Sequence, residues 1–215
     1  MTAADTDRAS VFIESFHRGN TPFLDELETY AIENDIPVIR PQTQSFLRTL
    51  LAMIKPESVL EVGTAIGFSA ILMAEYAPAT CRITTIENYE KRIPLAKENF
   101  QKSGYADRIT LLQGDAGDVL PELNGAYDLI FMDAAKGQYL NFLPEVMRLL
   151  KTGGVLLSDN VLMDGVVLES RYAVVRRDRT IHQRMRDYLY EIKNHPGLVT
   201  DILPVGDGIS LSVKV

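Results

Sequence analysis

From residue 58 onward the chain repeats one unit: a short apolar run that ends on glycine or an acid, then a stretch with helical spacing. The runs are SVLEVG (58–63), RITTIE (82–87), RITLLQGD (108–115), YDLIFMDA (127–134) and GGVLLSDN (153–160). A helix from Gly67 to Tyr76 follows the first. Ile93, Ala96 and Phe100 mark the helix after the second, and Leu140, Leu143, Met147 and Leu150 mark one between the fourth and fifth. Runs this continuously apolar have no face to give to water, so helices must cover both sides of the sheet they form. The expected class is α/β, with a doubly wound, mostly parallel sheet.

The two ends of the chain break this rhythm. At the C-terminus Ile181, Met185, Tyr188, Leu189 and Ile192 share a helical face, followed by VTDILPVG and GISLSVKV. Asp207 and its glycine neighbours separate these last segments, which predicts a hairpin, an antiparallel C-terminal strand and seven strands in all. At the N-terminus Phe12, Ile13 and Phe16 share one helical face, and Phe23, Leu24, Leu27 and Ala31 share another. Pro37 and Pro41 punctuate NDIPVIRP, and a third helix is expected from Gln42 to Ile54. At 215 residues, 46% of them hydrophobic, the chain suits one domain. In that domain residues 1–54 form a helical cap and 55–215 the sheet core.

Composition narrows the setting. No apolar run approaches the roughly 18 residues needed to cross a bilayer, so no membrane partner is expected. The polar start MTAADTDRAS lacks the basic and apolar pattern of a secretion signal. Cys81 is the only cysteine, which excludes an internal disulfide and a cysteine-rich zinc site and fits a reducing cytoplasm. His17, His182 and His195 lack ligand spacing and read as structural or surface groups. Net charge is −7, yet residues 171–186 hold six arginines against one aspartate. Residues 161–178 lack any period, and a connection of that length in a compact domain is functional or disordered.

Open α/β sheets bind ligands at the carboxyl ends of their strands. The first run ends in Glu61-Val62-Gly63-Thr64-Ala65-Ile66-Gly67. Gly63 permits a tight turn, and Gly67 lets the helix start approach a ligand. Glu87 closes the second run, where an acid can accept hydrogen bonds from both ribose hydroxyls of an adenosine. Gly114-Asp115-Ala116 closes the third, suitably placed for an adenine edge. The glycine spacing is not that of a dinucleotide site. With no pyrophosphate to cradle, the wider loop and Glu61 suit a cationic amino-acid cofactor.

EVGTAIGFSA, the acid at Glu87, GDA and DAAKGQY together resemble class I S-adenosylmethionine-dependent methyltransferases, which have a Rossmann-like fold. They are most similar to the metal-dependent group that includes catechol and caffeoyl-CoA O-methyltransferases. The resemblance covers roughly residues 36 to 215. It implies Glu61, Gly63 and Ser69 near the methionine end of S-adenosylmethionine, Glu87 at the ribose, Asp115 and Ala116 at the adenine, with Asp133 bordering the cofactor. It also implies a homodimer.

Asp133 closes the fourth run, and Asp159 and Asn160 close the fifth. If these strands are neighbours, two carboxylates and an amide carbonyl meet at one edge. That is a hard, all-oxygen set suited to a divalent cation, with Mg2+ ahead of Mn2+ or Ca2+, and the resemblance assigns a metal to these three residues. A cation there lowers the pKa of an acceptor hydroxyl and fixes its oxygen. The resemblance makes Lys136 the general base or the group that steadies the developing oxyanion, with Asp133 beside it in the catalytic group.

Two acceptors are open. DAAKGQYLNF, DNVLMDG, the arginine run and NHPGLVTDILPVGDG resemble bacterial tRNA 5-hydroxyuridine methyltransferases, which implies a tRNA anticodon stem-loop gripped by Arg171, Arg176, Arg177, Arg179, Arg184 and Arg186. The alternative is a small catechol-like phenol. The adjacent oxygens of either can chelate a metal. A non-catalytic binding module with this fold would be expected to lack Asp133, Asp159 or Lys136.

Overall fold

The computed structural model describes residue 8 and residues 11–215; residues 1–7, 9 and 10, which hold most of the polar start, lie outside the described residues. β1 (Ser58–Val62) buries four of its five residues, as a strand sheathed on both faces must. β2 (Arg82–Glu87), β3 (Ile109–Gln113), β4 (Tyr127–Met132) and β5 (Leu150–Ser158) run parallel with it. β6 (Leu198–Leu203) and β7 (Ile209–Lys214) form the expected hairpin. The seven strands lie in the order β3-β2-β1-β4-β5-β7-β6. β7 runs against its neighbours, but it is inserted between β5 and β6, which leaves β6 at the edge.

Side-chain alternation sorts the core into two apolar clusters. Val59, Phe131 and Leu157 face one way, against α1 (Pro22–Glu33), α2 (Pro41–Ile54), α3 (Phe68–Tyr76) and α4 (Ile93–Ser103). Leu60, Ile130 and Leu156 face the other, against α5 (Ala116–Glu122), α6 (Tyr139–Leu149) and α7 (Arg179–Asn194). This period of two, met by helices at both faces, is what makes the sheet doubly wound. The N-terminal helices belong to the first cluster: Leu24, Leu27 and Ala31 of α1 and Leu47, Leu50 and Leu51 of α2 are buried in it. Pro22 and Pro41 open these helices, where the missing N–H costs no hydrogen bond.

Several expectations shift in detail. In α6 the buried stripe is Tyr139, Phe142, Leu143, Val146 and Leu149. It lies one residue before the aliphatic stripe expected there, because the two aromatics define the face and Leu150 already belongs to β5. In α7 His182 takes the buried face with Met185, Tyr188 and Ile192, while Ile181 lies at its exposed rim. His182 Nε2 meets the Glu169 carbonyl at 3.1 Å, so this histidine is structural rather than a surface group. Phe12 and Phe16 pack edge to face with each other and stay largely exposed. Residues 161–178 are ordered as turns around a short 3-10 segment, Val166–Leu168, anchored by buried Val161, Val167 and Val174. Among the described residues no helix is long and apolar enough to cross a membrane.

Candidate active site

Strand register brings the predicted residues to one level. Gly63 N donates to Ile86 O, Gly114 N to Glu87 O, Asp133 N to Val62 O and Asp159 N to Met132 O, each at 3.0 Å. The tips of five parallel strands thus end together, on both sides of the β1/β4 point where the strand order reverses. A cavity of about 400 Å³ opens there, lined among others by Gly63, Ser69, Glu87, Asp115, Ala116, Asp133, Lys136 and Asn160.

The β1–β3 side is prepared by its own backbone. Glu87 Oε2 accepts from Ala65 N at 2.8 Å, and Oε1 accepts from Asn88 N at 3.0 Å and Tyr89 N at 2.8 Å. Ala65 adopts φ 48° to make that contact. Asp115 caps α5 by accepting from Gly117 N at 2.8 Å, and Asn88 Nδ2 donates to its other oxygen at 3.1 Å. Gly63 has φ +94°, and a Cβ on it would stand 2.3 Å from the Asp133 carbonyl, so glycine lets the β1 and β4 tips touch. Gly67, expected to open the helix start to a ligand, instead makes room for Phe100 of α4: its Cβ would stand 2.5 Å from that ring.

Glu61 lies behind the lining, fully buried. Burial pushes its carboxyl up, and the Ser69, Thr64 and Thr85 hydroxyls oppose the rise. Thr85 Oγ1 donates to Oε2, while Oε1 has no hydrogen-bond partner among the described residues.

The β4–β5 side gathers carboxylates. Asn160, at φ 58°, turns its amide so that Nδ2 lies 3.2 Å from Asp133 Oδ1. Asp159 Oδ1 accepts from Asn160 N at 2.8 Å and from Thr43 Oγ1 at 3.3 Å. Burial, then the charges of Asp159 and Glu61, push Asp133 up to about 7 against the pull of Lys136 and Asn160. Burial likewise raises Asp159 to about 6; the Asn160 and Thr43 hydrogen bonds oppose it and the charge of Asp207 adds to it. Below them Tyr139 contributes a buried hydroxyl 3.0 Å from the Asp159 carbonyl and 3.2 Å from that of Met132, pinning the two tips together. Among the described residues no cluster of three or more His, Cys, Asp or Glu side chains could hold a metal; the oxygen set here is two carboxylates and one amide.

Lys136 opens a 3-10 segment (Lys136–Gln138) at the cavity wall, with Nζ 3.8 Å from Asp207 Oδ2. Sequence reasoning treated Asp207 only as a turn residue; it is nearly buried and faces the site from the β6–β7 turn. Thr43 and Tyr139 were also missed. Tyr139 follows DAAKGQ directly, a polar aromatic where a helix begins, which is the one local sign it carried.

Of the six arginines, Arg184 reaches this segment. Arg184 Nη1 donates to Gly137 O at 3.2 Å, Arg186 Nη1 to Val167 O at 3.1 Å and Arg179 Nε to Val174 O at 3.0 Å. These three bind the chain itself. Arg177 lies 3.5 Å from Asp178, and Arg171 and Arg176 are exposed.

A crevice at the switch point of a parallel sheet, an acid at the second strand tip and a carboxylate–amide group at the fourth and fifth define a cofactor-dependent α/β enzyme domain. The chain belongs to the O-methyltransferase family, whose model matches residues 14–215. It is 35% identical over 211 residues to a catechol O-methyltransferase of Mycobacterium tuberculosis, spanning 94% of this chain and 93% of that one. It is 33% identical over 183 residues to caffeoyl-CoA O-methyltransferase 1 of Eucalyptus globulus, spanning 79% and 72%. In structure it is similar to an SAH-bound methyltransferase of Podospora anserina, with a TM-score of 0.87 and 27% identity over 100% of this chain and 97% of the other.

Proposed function

We propose that this O-methyltransferase transfers the methyl group of S-adenosylmethionine to one hydroxyl of a small catechol-type phenol, with a divalent cation held by Asp133, Asp159 and Asn160. One observation carries the reading: at the wall of a cofactor-sized cavity, Asn160 Nδ2 touches Asp133 while Asp159 adjoins Asn160, and the charge of Asp159 raises the proton affinity of Asp133. Two like charges brought together at neighbouring strand tips, Asp159 buried and Asp133 half-buried, would be costly without a counter-charge, so the donor set fits a hard cation. Such a cation acidifies and orients a chelating hydroxyl. The cofactor fits too. Ser69 at the cavity wall, with the negative end of Glu61 behind it and Oε1 without a hydrogen-bond partner among the described residues, suits an ammonium-bearing end, and Glu87 keeps lone pairs for a diol.

This chain's own groups do the rest. Lys136 takes the acceptor proton as a neutral amine or, as an ammonium, steadies the oxyanion by its charge. Phe68 and Phe142 at the cavity wall help exclude water, which strengthens both effects. Similarity to catechol and caffeoyl-CoA enzymes favours the small phenol. The second reading, a tRNA anticodon stem-loop bearing 5-hydroxyuridine, is favoured by one feature: Arg171, Arg179 and Arg184 line a groove of about 220 Å³, and Arg184 reaches Gly137 beside Lys136.

A paired assay tests both. With Mg2+ and labelled S-adenosylmethionine, we expect turnover of catechols and none of tRNA carrying 5-hydroxyuridine. Arg176→Glu with Arg177→Glu should leave catechol turnover within about twofold, as exposed surface charges do; the RNA reading requires that pair of substitutions to abolish tRNA methylation. Activity that persists in excess chelator sinks the metal role.

A further inference from the structure

We propose that Asp207 is a positioning residue for Lys136, fixing where its ammonium stands on the acceptor side of the cavity. The inference rests on the role given to Lys136 above. A hairpin turn does not need a buried acid: Gly206 and Gly208, at φ +59° and +77°, already supply the backbone conformations. Yet Asp207 is only 5% exposed, and burying a carboxylate is expensive unless it is paired. One oxygen is used locally, Oδ1 accepting from Asp164 N at 2.6 Å. The other, Oδ2, has no hydrogen-bond partner among the described residues and faces Lys136 Nζ at 3.8 Å.

Lys136 needs such an anchor. Its stem is flexible and its charge is a point without a fixed fork, and its side chain is one-third exposed. The carboxylates of Asp133 and Asp159 also attract it. Without Asp207 the ammonium would collapse onto that pair instead of standing off it, where an acceptor oxygen can reach it. The turn is held rigidly enough to do this. Leu162 N donates to Asp207 O and Val161 N to Gly208 O, both at 2.9 Å, so the turn is laced to the segment that follows Asp159 and Asn160.

Asp207→Asn separates the two oxygens. An amide oxygen still accepts from Asp164 N, while the charge facing Lys136 is gone. With full-length protein, Mg2+, S-adenosylmethionine and a catechol as probe, kcat should fall about tenfold, the scale of a displaced catalytic group. Cofactor affinity by calorimetry should stay within about twofold, and that titration counts folded sites. In a Lys136→Ala background the same substitution should cost nothing more, because its effect runs through the lysine. In metal-free, acceptor-free protein, labelling by an amine-reactive ester read by mass spectrometry should fall about threefold at Lys136 relative to exposed Lys91, as the ammonium closes onto Asp133 and Asp159. If the Asn variant melts early, Asp207→Ser is read in the same way.

A crippled Lys136→Ala beside an Asp207→Asn enzyme of full kcat would overturn the positioning role and leave the proposed function standing. Additive losses in the double variant, or unchanged labelling at Lys136, would overturn it as well. Full kcat in Lys136→Ala would sink the role of the lysine and this inference with it.

Discussion

On the β1–β3 side of the crevice the acids at the cavity wall have their hydrogen bonds met, and only Glu61, behind that wall, has an oxygen with no hydrogen-bond partner among the described residues. Glu87 takes three backbone N–H groups, and Asp115 takes one from Gly117 and an amide from Asn88. On the β4–β5 side the hydrogen bonds that Asn160 and Thr43 supply do not offset the gathered negative charge. Asp133 and Asp159 are pushed up to about 7 and about 6, Asp207 adds a third negative charge, and one of its oxygens has no hydrogen-bond partner among the described residues. The first region is preorganised by the chain alone, so a neutral or cationic ligand finds its acceptors already aimed. The second sets three carboxylates against the ammonium of Lys136, an excess of negative charge that suits the cation proposed there. The two regions share a wall at Gly63, whose missing side chain lets one tip lie against the other.

The sharpest way to break this contrast is Asp159→Ala. If the β4–β5 side works only when its charges meet a cation, catechol turnover should fall by about a thousandfold, the several kcal/mol that metal-assisted charge stabilisation supplies. Cofactor affinity by calorimetry should change by less than about threefold, because Asp159 lies outside the β1–β3 side. A variant that loses cofactor and turnover together would show that the two regions are one site.

Glu87→Ala is the converse. Hydrogen bonds to a charged group are worth about 1.5–3 kcal/mol each, so cofactor affinity should weaken roughly tenfold to a hundredfold. kcat at saturating cofactor should stay near its original value. Equal losses in kcat would argue that Glu87 shapes the acceptor side too.

Much of this arrangement could be read before any coordinates. The continuously apolar runs mark strands buried on both faces, and acids at their ends fall at one level because the strands run parallel and in register. Glu87, Asp115, Asp133 and Asp159 reach the crevice for that reason. What stayed hidden depends on topology or on side-chain phase. Asp207 meets Lys136 only because β7 inserts beside β5, and a hairpin signal carries no information on where the hairpin docks. Thr43 reaches Asp159 from α2, a helix whose placement its own sequence does not specify. The α6 stripe was misjudged by one residue because Tyr139 and Phe142 were not counted among its apolar positions, and with them went the hydroxyl that pins β4 to β5.

The shared wall offers a measure of stability rather than activity. In Gly63→Ala the new Cβ would meet the Asp133 carbonyl at 2.3 Å with φ +94° already against it. Backbone cannot step aside as a flexible side chain can, so strain and overpacking together should cost about 2–4 kcal/mol. Urea denaturation should show a lower midpoint with an unchanged slope. A loss under about 0.5 kcal/mol would mean the tips are loosely apposed and the two regions less coupled than this contact implies.

The smallest effect expected is a change in melting temperature with pH. Asp133 and Asp159 titrate near 7 and 6 in the folded, metal-free protein, against an ordinary carboxylate value of 3.8. Between those values the native state holds more protons than the unfolded one, so stability falls as pH rises and the contribution is gone above about 7. Asp133 is partly exposed, and solvent screening reduces the effect to about 1 kcal/mol, a shift of roughly 2–4 °C for a chain of this size. Excess Mg2+ should abolish the decline, because bound cation replaces the protons as counter-charge. The same scan on Asp133→Asn without metal should lose the part of the decline that extends to about 7 and keep the part that Asp159 contributes up to about 6. A metal-free protein that instead gains stability toward neutral pH would mean the two carboxylates are not in conflict, and the contrast between the two sides of the crevice would lose its physical basis.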